Sequence, residues 1–458
     1  MANAGLMVSV SGVRGRVGEG LTPEVVARFA AGFGAWARSR AGSDDATVVV
    51  GRDSRVSGPM FHRVVLSALQ SVGCNVMDVG MAPTPTVQLA VEHHHAAGGL
   101  AITASHNPIE WNALKFIGPS GLCLDGTESA AMRSVVDGEI SRVSWDKLGT
   151  VADDPDAISR HQAMVLALPF LDVDGIRRRQ FHVAIDCVRG AGGAFMPKFL
   201  TQLGCRVSSI NLETDGRFPR PPEPVAENLG ELEALVLSSG AAIGFAVDPD
   251  VDRLALVSEE GKAIGEDYTL ALAARVVLRH REGNVVTNLS TSRIVDDIAQ
   301  EQNRKVIRTP VGEVNVATRM RLEKAPVGGE GNGGVILSEL HLGRDAPLGA
   351  ALILQLLHEE SKPLSAIVAG YPCYSIVKDK LDRPAAPLDA VYESLRRVFA
   401  DADADMQDGL RLTWSDRWVH IRPSGTEPIV RVIAEAPSEE VARDLIRQCR
   451  APLEALSG

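Results

Sequence analysis

AIGFAVDPDVDR, Ala242–Arg253, is the stretch on which the fold turns. Its apolar half, Ala242–Val247, reads as a strand and runs directly into three alternating carboxylates. In a parallel α/β sheet, ligands bind beyond the carboxyl ends of the strands, so this loop sits where chemistry is expected. Upstream, Phe181–Asp186 reads as a strand, Gly193–Leu203 as a helix, Cys205–Ile210 as a strand and Leu229–Ser239 as a helix. Strands alternating with helices imply βαβ units and a parallel sheet. The same plan precedes it: strand Ala46–Gly51, helix Pro59–Val72, strand Asn75–Val79, helix Thr84–His94, strand Gly98–Thr103. It follows again: Asn284–Asn288, Ile294–Gln302, Lys305–Arg308, Val314–Glu323 and Ala325–Gly328. Three βαβαβ units of about a hundred residues each are expected.

Beyond Gly370 the pattern changes. Leu410–Trp414 and Trp418–Arg422 flank Ser415–Asp416 as a hairpin, Ile429–Ala434 is a third strand, and Glu439–Leu456 is an amphipathic helix. This predicts a smaller α+β C-terminal domain, with boundaries giving units 1–155, 156–264, 265–370 and 371–458. Arg217–Pro224 (RFPRPPEP) reads as a proline-stiffened loop, and Asp401–Asp408 as a solvated acidic loop.

Composition narrows the function. Of 458 residues, 45% are hydrophobic and 23% charged, an ordinary globular balance that excludes disordered and fibrous classes. Aromatics at 4% argue against base-stacking platforms. The 47 basic and 58 acidic residues leave a net charge of −11, which argues against nucleic-acid or anionic-membrane partners. Any anionic ligand must therefore be held by a local basic site. The six cysteines are scattered without a CxxC pair, so they read as thiols of a reducing compartment. No charged leader followed by an apolar run opens the chain, and no stretch of ~20 apolar residues occurs, so a cytoplasmic location is expected.

Each unit carries an unusual loop after its third strand. The first is Thr103–Pro108 (TASHNP), where Ser105 is a possible nucleophile with His106 and Asn107 beside it. The G-x-S-x-G elbow is absent, so a Ser-His-Asp triad is not supported. A loop continuing to Lys115 brings a cation near Ser105. In the second loop, an extended chain points Asp248, Asp250 and Asp252 to one side. Three converging like charges with only oxygen donors call for a hard cation such as Mg²⁺. Glu259 stands at the twelfth position of an EF-hand spacing, but Arg253 replaces the glycine at the sixth and the flanks read as strands. A plain surface acidic loop is the alternative. The third loop, Gly328–Gly334, is glycine-rich with Glu330 and Asn332 as its only side chains, fit for a hydroxyl-rich ligand or for a flexible turn. A fourth, Arg422–Pro428 (RPSGTEP), offers the Arg422 fork, the Ser424 and Thr426 hydroxyls and a Gly425 backbone nest to a phosphate, though a capped turn has the same composition. Arg14, in SGVRGR, is a further candidate for phosphate contact.

These loops in this order resemble the α-D-phosphohexomutase superfamily, which contains phosphoglucosamine mutase, phosphomannomutase and phosphoglucomutase. The resemblance runs over nearly the whole chain, through VSGVRG, VVVGRDSRVSGPM, TASHNP, DPDVDR, GEGNGG and RPSGTEP. It implies an α/β protein of three mixed-sheet domains and a smaller fourth domain around one central cleft. It implies that Ser105 carries a phosphoryl group, and that Asp248, Asp250, Asp252 and the phosphoserine oxygen of Ser105 hold Mg²⁺. Arg14 and Lys115 match basic residues beside the phosphoserine, with Lys115 a general acid/base. Arg253 matches the family arginine, Glu330 and Asn332 the sugar-hydroxyl loop, and Arg422, Ser424, Gly425 and Thr426 the loop holding the phosphate that is not transferred.

Two positions depart from the family pattern. Val251 stands where glycine is usual, a change that a β-like conformation tolerates, and Asn332-Gly333-Gly334 replaces the Ser-Gly-His of many bacterial members. This E-x-N-G-G form resembles archaeal-type members. Glu313 stands where some members have histidine and others an acid. The implied activity is interconversion of hexose 6- and 1-phosphates through a hexose 1,6-bisphosphate by a monomer or homodimer. Glucosamine phosphate is the leading substrate, with glucose and mannose phosphates as the alternative. The rival readings are a phosphatase-like hydrolase, revealed by net phosphate release, and a silent phosphosugar-binding protein.

Overall fold

In the computed structural model, residues 5–10, 12–42, 46–383, 387–424 and 429–455 are described. The three expected units share one topology. In the first, Asn75–Met81, Thr47–Arg52 and Gly98–Ile102 run parallel in the spatial order second, first, third, and Trp111–Ile117 adds antiparallel beside the third. The second repeats this with Arg206–Ile210, His182–Asp186 and Ile243–Val247, plus antiparallel Leu254–Ser258. The third repeats it with Val306–Thr309, Val285–Asn288 and Val327–Glu330, plus antiparallel Gly334–Leu337. The fourth strands follow a short loop with no helix between, so a search by strand–helix alternation passes over them.

That extra strand corrects one expectation. Lys115 is not on a loop; it stands in the strand Trp111–Ile117, opposite Ala101. Arg14 stands in Gly12–Arg16, which pairs with the same strand and places Arg14 opposite Ala113. Both cations are thus fixed by the sheet beside the Ser105 loop.

Apolar packing groups the units unequally. The second and third contribute to one continuous core, which holds Leu254 and Phe245 of the second together with Leu270, Val335 and Leu348 of the third. The helices Asp267–His280 and Ala346–Glu360 pack across it. The helix Ala346–Glu360 starts where Asp345 accepts from Leu348 N at 2.8 Å, with Pro347 in the first turn, where its missing N–H is harmless. The first domain has its own core around Phe33, Leu100 and Ile102.

The C-terminal domain has a separate core around Leu395, Val419 and Val432. Its five strands are all antiparallel, with Leu410–Thr413 and Trp418–Pro423 forming the expected hairpin. The acidic stretch before the hairpin is not merely a solvated loop. Asp403–Asp405 is the edge strand, and Asp408 Oδ2 accepts from Val311 N of the third domain at 3.0 Å. Among the described residues no helix is long and apolar enough to cross a membrane.

Candidate active site

The three loops that join each third strand to its antiparallel neighbour hold Ser105, the aspartate triplet and Asn332, with Glu330 the last residue of its strand rather than in the loop. The Ser105 loop is shaped by two residues that sequence reasoning did not single out. Buried Arg55 donates to the carbonyls of Ser105 (2.7 Å), Asn107 (2.6 Å), Pro108 (2.7 Å) and Trp111 (2.9 Å). Asp53 pairs with Arg55 at 3.2 Å and accepts from Thr103 Oγ1 at 2.7 Å. The same Thr103 oxygen accepts from Ser105 N at 2.9 Å. Four carbonyls converging on one guanidinium fix the loop and hold Ser105 at φ 47°, a strained conformation for a residue with a side chain. The available signal was position: GRDSRVS also follows a strand's carboxyl end.

Ser105 Oγ donates to Asp248 Oδ2 at 2.8 Å. His106 Nδ1 lies 3.4 Å from the same hydroxyl, and the charge of Arg253, with burial, holds its imidazole well below the usual range and therefore neutral. Arg14 reaches Asn107 Oδ1 at 3.4 Å. Burial and the nearby Arg253 charge lower its pKa, a sign that two guanidinium groups face one region.

The aspartates converge, but not by the extended period expected from the sequence. The loop is a turn: Val251 N donates to Asp248 O at 3.1 Å, and Asp248 Oδ1 accepts from Asp252 N (3.1 Å) and Arg253 N (3.2 Å). Val251 sits at φ 60°, the left-handed region, so valine replaces the usual glycine with strain rather than in a β-like conformation. Its side chain is fully buried in the core, which opposes that strain. The three carboxylates, all buried, offer one oxygen each within 4.8 Å of one another.

Asp250 Oδ2 accepts from Thr84 Oγ1 (2.6 Å) and Lys115 Nζ (2.6 Å), and Lys115 also reaches Asp252 Oδ2 at 3.3 Å. Asp250 Oδ1 and Asp252 Oδ1 are buried with no hydrogen-bond partner. Burial, then the charges of Asp250 and Asp252, push Asp248 well above the carboxylate range. Burial also opposes the charge on Lys115, yet Asp250 and Asp252 outweigh it and hold the ammonium protonated. Orphaned oxygens, mutual repulsion and an all-oxygen donor set fit a hard divalent cation. The EF-hand alternative fails: the flanks are strands, and Glu259 turns away to bond Ser365.

The glycine-rich loop presents its carboxylate already paired. Glu330 Oε1 accepts from Asn288 Nδ2 (2.8 Å) and Gly312 N (3.0 Å), and Oε2 from Arg344 Nη1 (3.0 Å) and Asn332 Nδ2 (3.4 Å). Burial raises the Glu330 pKa, but Arg344, the Asn288 hydrogen bond, the Arg253 charge and the Gly312 N–H together more than reverse this, so the group is ionised. Arg344 was not visible as a site residue in the sequence. Arg422 lies at the end of a strand of the C-terminal domain, 3.6 Å from Asp408. Ser424, two residues on, donates its N–H to Ile429 O at 2.9 Å, while Gly425 and Thr426 lie outside the described residues. The structure thus joins Ser105, Lys115, Arg14, Arg253 and the three aspartates, and reaches Glu330 and Asn332 through Arg344. Arg422 is linked to that wall by Asp408 and Val311.

Comparison with known proteins agrees with this arrangement. The phosphoglucomutase/phosphomannomutase models match in chain order: domain I over residues 6–141, domain II over 160–261, domain III over 265–374 and the C-terminal domain over 375–451. A probable phosphoglucosamine mutase of Methanopyrus kandleri is 38% identical, with 97% of this chain and 98% of the relative covered. A phosphoglucomutase/phosphomannomutase of Thermococcus kodakarensis is also 38% identical, covering 96% and 97%. Among solved structures, a phosphoglucomutase/phosphomannomutase family protein of Burkholderia thailandensis superposes with TM-score 0.83 at 26% identity, covering 98% of each chain. With the cleft chemistry and full-length similarity in agreement, the chain belongs to the phosphoglucomutase/phosphomannomutase family of α-D-phosphohexomutases and is an enzyme that isomerises hexose phosphates.

Proposed function

We propose that the chain interconverts glucosamine 6- and 1-phosphate, with glucose and mannose phosphates accepted at the same cleft, through a phosphoryl group carried on Ser105. The observation that carries this is the 2.8 Å contact between Ser105 Oγ and Asp248 Oδ2, made across two domains inside a cluster of opposed charges. Phosphoryl transfer proceeds through a loose transition state, so positioning and charge neutralisation supply most of the catalysis.

Asp250 Oδ1, Asp252 Oδ1, Asp248 and the Ser105 oxygen would hold Mg²⁺, which when bound neutralises charge on the transferring phosphoryl. Arg14 and Arg253 face the same phosphoryl oxygens. A sugar hydroxyl attacks phosphorus as the bond to Ser105 Oγ breaks; the Lys115 ammonium gives a proton to the departing Oγ and is restored by the hydroxyl proton. The product is a hexose 1,6-bisphosphate, which turns end for end and returns its other phosphate to Ser105. Arg422, Ser424, Gly425 and Thr426 hold the phosphate that stays, in either orientation. Glu330 and Asn332 accept and donate at equatorial hydroxyls common to these sugars, so they need not read C2.

This reading takes the functional units as 1–155, 156–264, 265–370 and 371–458, in a cytoplasmic monomer or homodimer. The E-x-N-G-G loop form and the similarity to a probable phosphoglucosamine mutase support the amino sugar as leading substrate. The test is kcat/KM for glucosamine, glucose and mannose 6-phosphates at fixed bisphosphate, alongside a phosphate-release assay. Glucosamine phosphate being poorest by over tenfold, about 1.4 kcal/mol in transition-state binding, overturns the leading substrate. Net phosphate release overturns the mutase mechanism.

A further inference from the structure

Arg344 lies in the turn between the strand Gly334–Leu337 and the helix Ala346–Glu360, and its side chain crosses from the third domain to the second. Nη2 donates to Asp252 Oδ2 at 2.7 Å and lies 3.3 Å from Glu313 Oε2, while Nη1 donates to Glu330 Oε2 at 3.0 Å. Its backbone N–H donates to Glu313 Oε1 at 3.2 Å. The guanidinium is buried, with 8% of the side chain exposed. The next residue anchors the backbone: Asp345 Oδ2 meets His161 Nε2 at 2.7 Å and His341 Nε2 at 3.0 Å, and all three are buried. His161 Nδ1 in turn meets Thr86 Oγ1 of the first domain at 2.9 Å. The fork of Arg344 is therefore held at a fixed place where three domains meet.

One guanidinium is shared by a carboxylate of the aspartate loop and the carboxylate of the sugar loop. With Oδ2 of Asp252 engaged by Arg344 and Lys115, Oδ1, which takes no hydrogen bond and has only Arg253 Nε at 3.8 Å, is the oxygen left for a cation. We propose that Arg344 is a positioning residue that couples the two loops, so that affinity for a divalent cation depends on the state of Glu330. This rests on Asp252 as a metal ligand and Glu330 as the sugar acceptor. When Glu330 is neutralised, the guanidinium turns its full charge on Asp252 and competes with the cation for it. By reciprocity, cation binding alters the hold on Glu330 and hence on the sugar. Planar bidentate geometry is what lysine lacks, so Arg344→Lys keeps the charge and loses the bridge.

The experiment is Mg²⁺ titration by calorimetry of the full chain, with no turnover involved, in wild type, Glu330→Gln, Arg344→Gln and the double variant. Glu330→Gln is expected to weaken Mg²⁺ about fivefold in the wild-type background and less than about twofold in the Arg344→Gln background. Equal weakening in both backgrounds is a through-space charge effect and overturns the coupling while leaving the metal site standing. A wild-type chain that binds no Mg²⁺ overturns the metal reading and the coupling together. If Arg344→Gln fails to fold, the same cycle in Arg344→Lys decides: an undiminished Glu330→Gln effect there overturns the bridge.

Discussion

The aspartate loop and the glycine-rich loop proposed to meet the sugar occupy the same topological place in successive domains, yet they are prepared in opposite ways. In the aspartate loop, Asp250 and Asp252 each keep a buried oxygen without a hydrogen bond, and burial, with the charges of its neighbours, pushes Asp248 toward its protonated form. In the sugar loop, the Glu330 carboxylate takes four donors and is held ionised. The first is electrostatically incomplete and suited to a cation that neutralises it. The second is rigid and suited to a neutral polyol, whose hydroxyls add weak bonds to a carboxylate already in place. A buried charge is costly unless compensated, so the incomplete loop is where a ligand charge acts most strongly.

The largest effect should come from the atom against which the incomplete loop works. Ser105→Ala is expected to abolish turnover, and intact-mass measurement of wild type should show the addition of about 80 Da, one phosphoryl group. Substantial activity of this variant without added bisphosphate would remove the covalent step. Next, Asp250→Asn should lower kcat roughly 100- to 1000-fold, about 3–4 kcal/mol, with the fold intact. Activity unaffected by a chelator would show that the orphaned oxygens serve no cation.

The sugar-loop side carries a pH dependence of its own. His420 is buried between Ser290 Oγ (2.8 Å) and the Asp408 carbonyl (2.6 Å), on the seam joining the C-terminal domain to the third. Burial lowers its pKa from 6.5 to about 4. The unfolded state therefore binds the proton first, so the stabilisation is present above about pH 6.5 and is lost as pH falls toward 4, about 3 kcal/mol in all. The exchange protection of Trp418–Pro423, each rate taken relative to the intrinsic amide rate at the same pH, should fall on acidification across this window, and a His420→Gln variant should lose the dependence.

Glu330→Gln should lower kcat/KM roughly ten- to thirtyfold, about 1.4–2 kcal/mol, for glucosamine, glucose and mannose phosphates alike. A loss confined to one sugar would mean that this carboxylate reads C2. The smallest effect is expected at Val251. Valine at φ 60° costs about 1–2 kcal/mol of strain, while its burial contributes about 1.5–3 kcal/mol, so Val251→Gly should destabilise by only about 1 kcal/mol in denaturant titration. Stabilisation by more than about 1 kcal/mol would mean that strain outweighs packing there.

Chemical content was legible in the sequence because it is local. TASHNP, DPDVDR, GEGNGG and RPSGTEP each concentrate polar groups at the end of an apolar run, and the alternation of runs yields the parallel strands. What the sequence could not supply was partnership. Ser105 meets Asp248 across 143 residues, and Arg344 meets Asp252 across 92. Nothing in HLGRDAP separates Arg344 from a surface arginine, and nothing around Asp53 and Arg55 says that four carbonyls will face one guanidinium. The turn at Val251 escaped for a related reason: propensity favours an extended valine, and the packing of that side chain into a shared core decided otherwise. Residue type and period determined which groups this chain carries and at which strand ends they stand. Tertiary packing alone decided which charges share a proton, a guanidinium or a cation, because those free energies depend on distances between segments that no local pattern encodes.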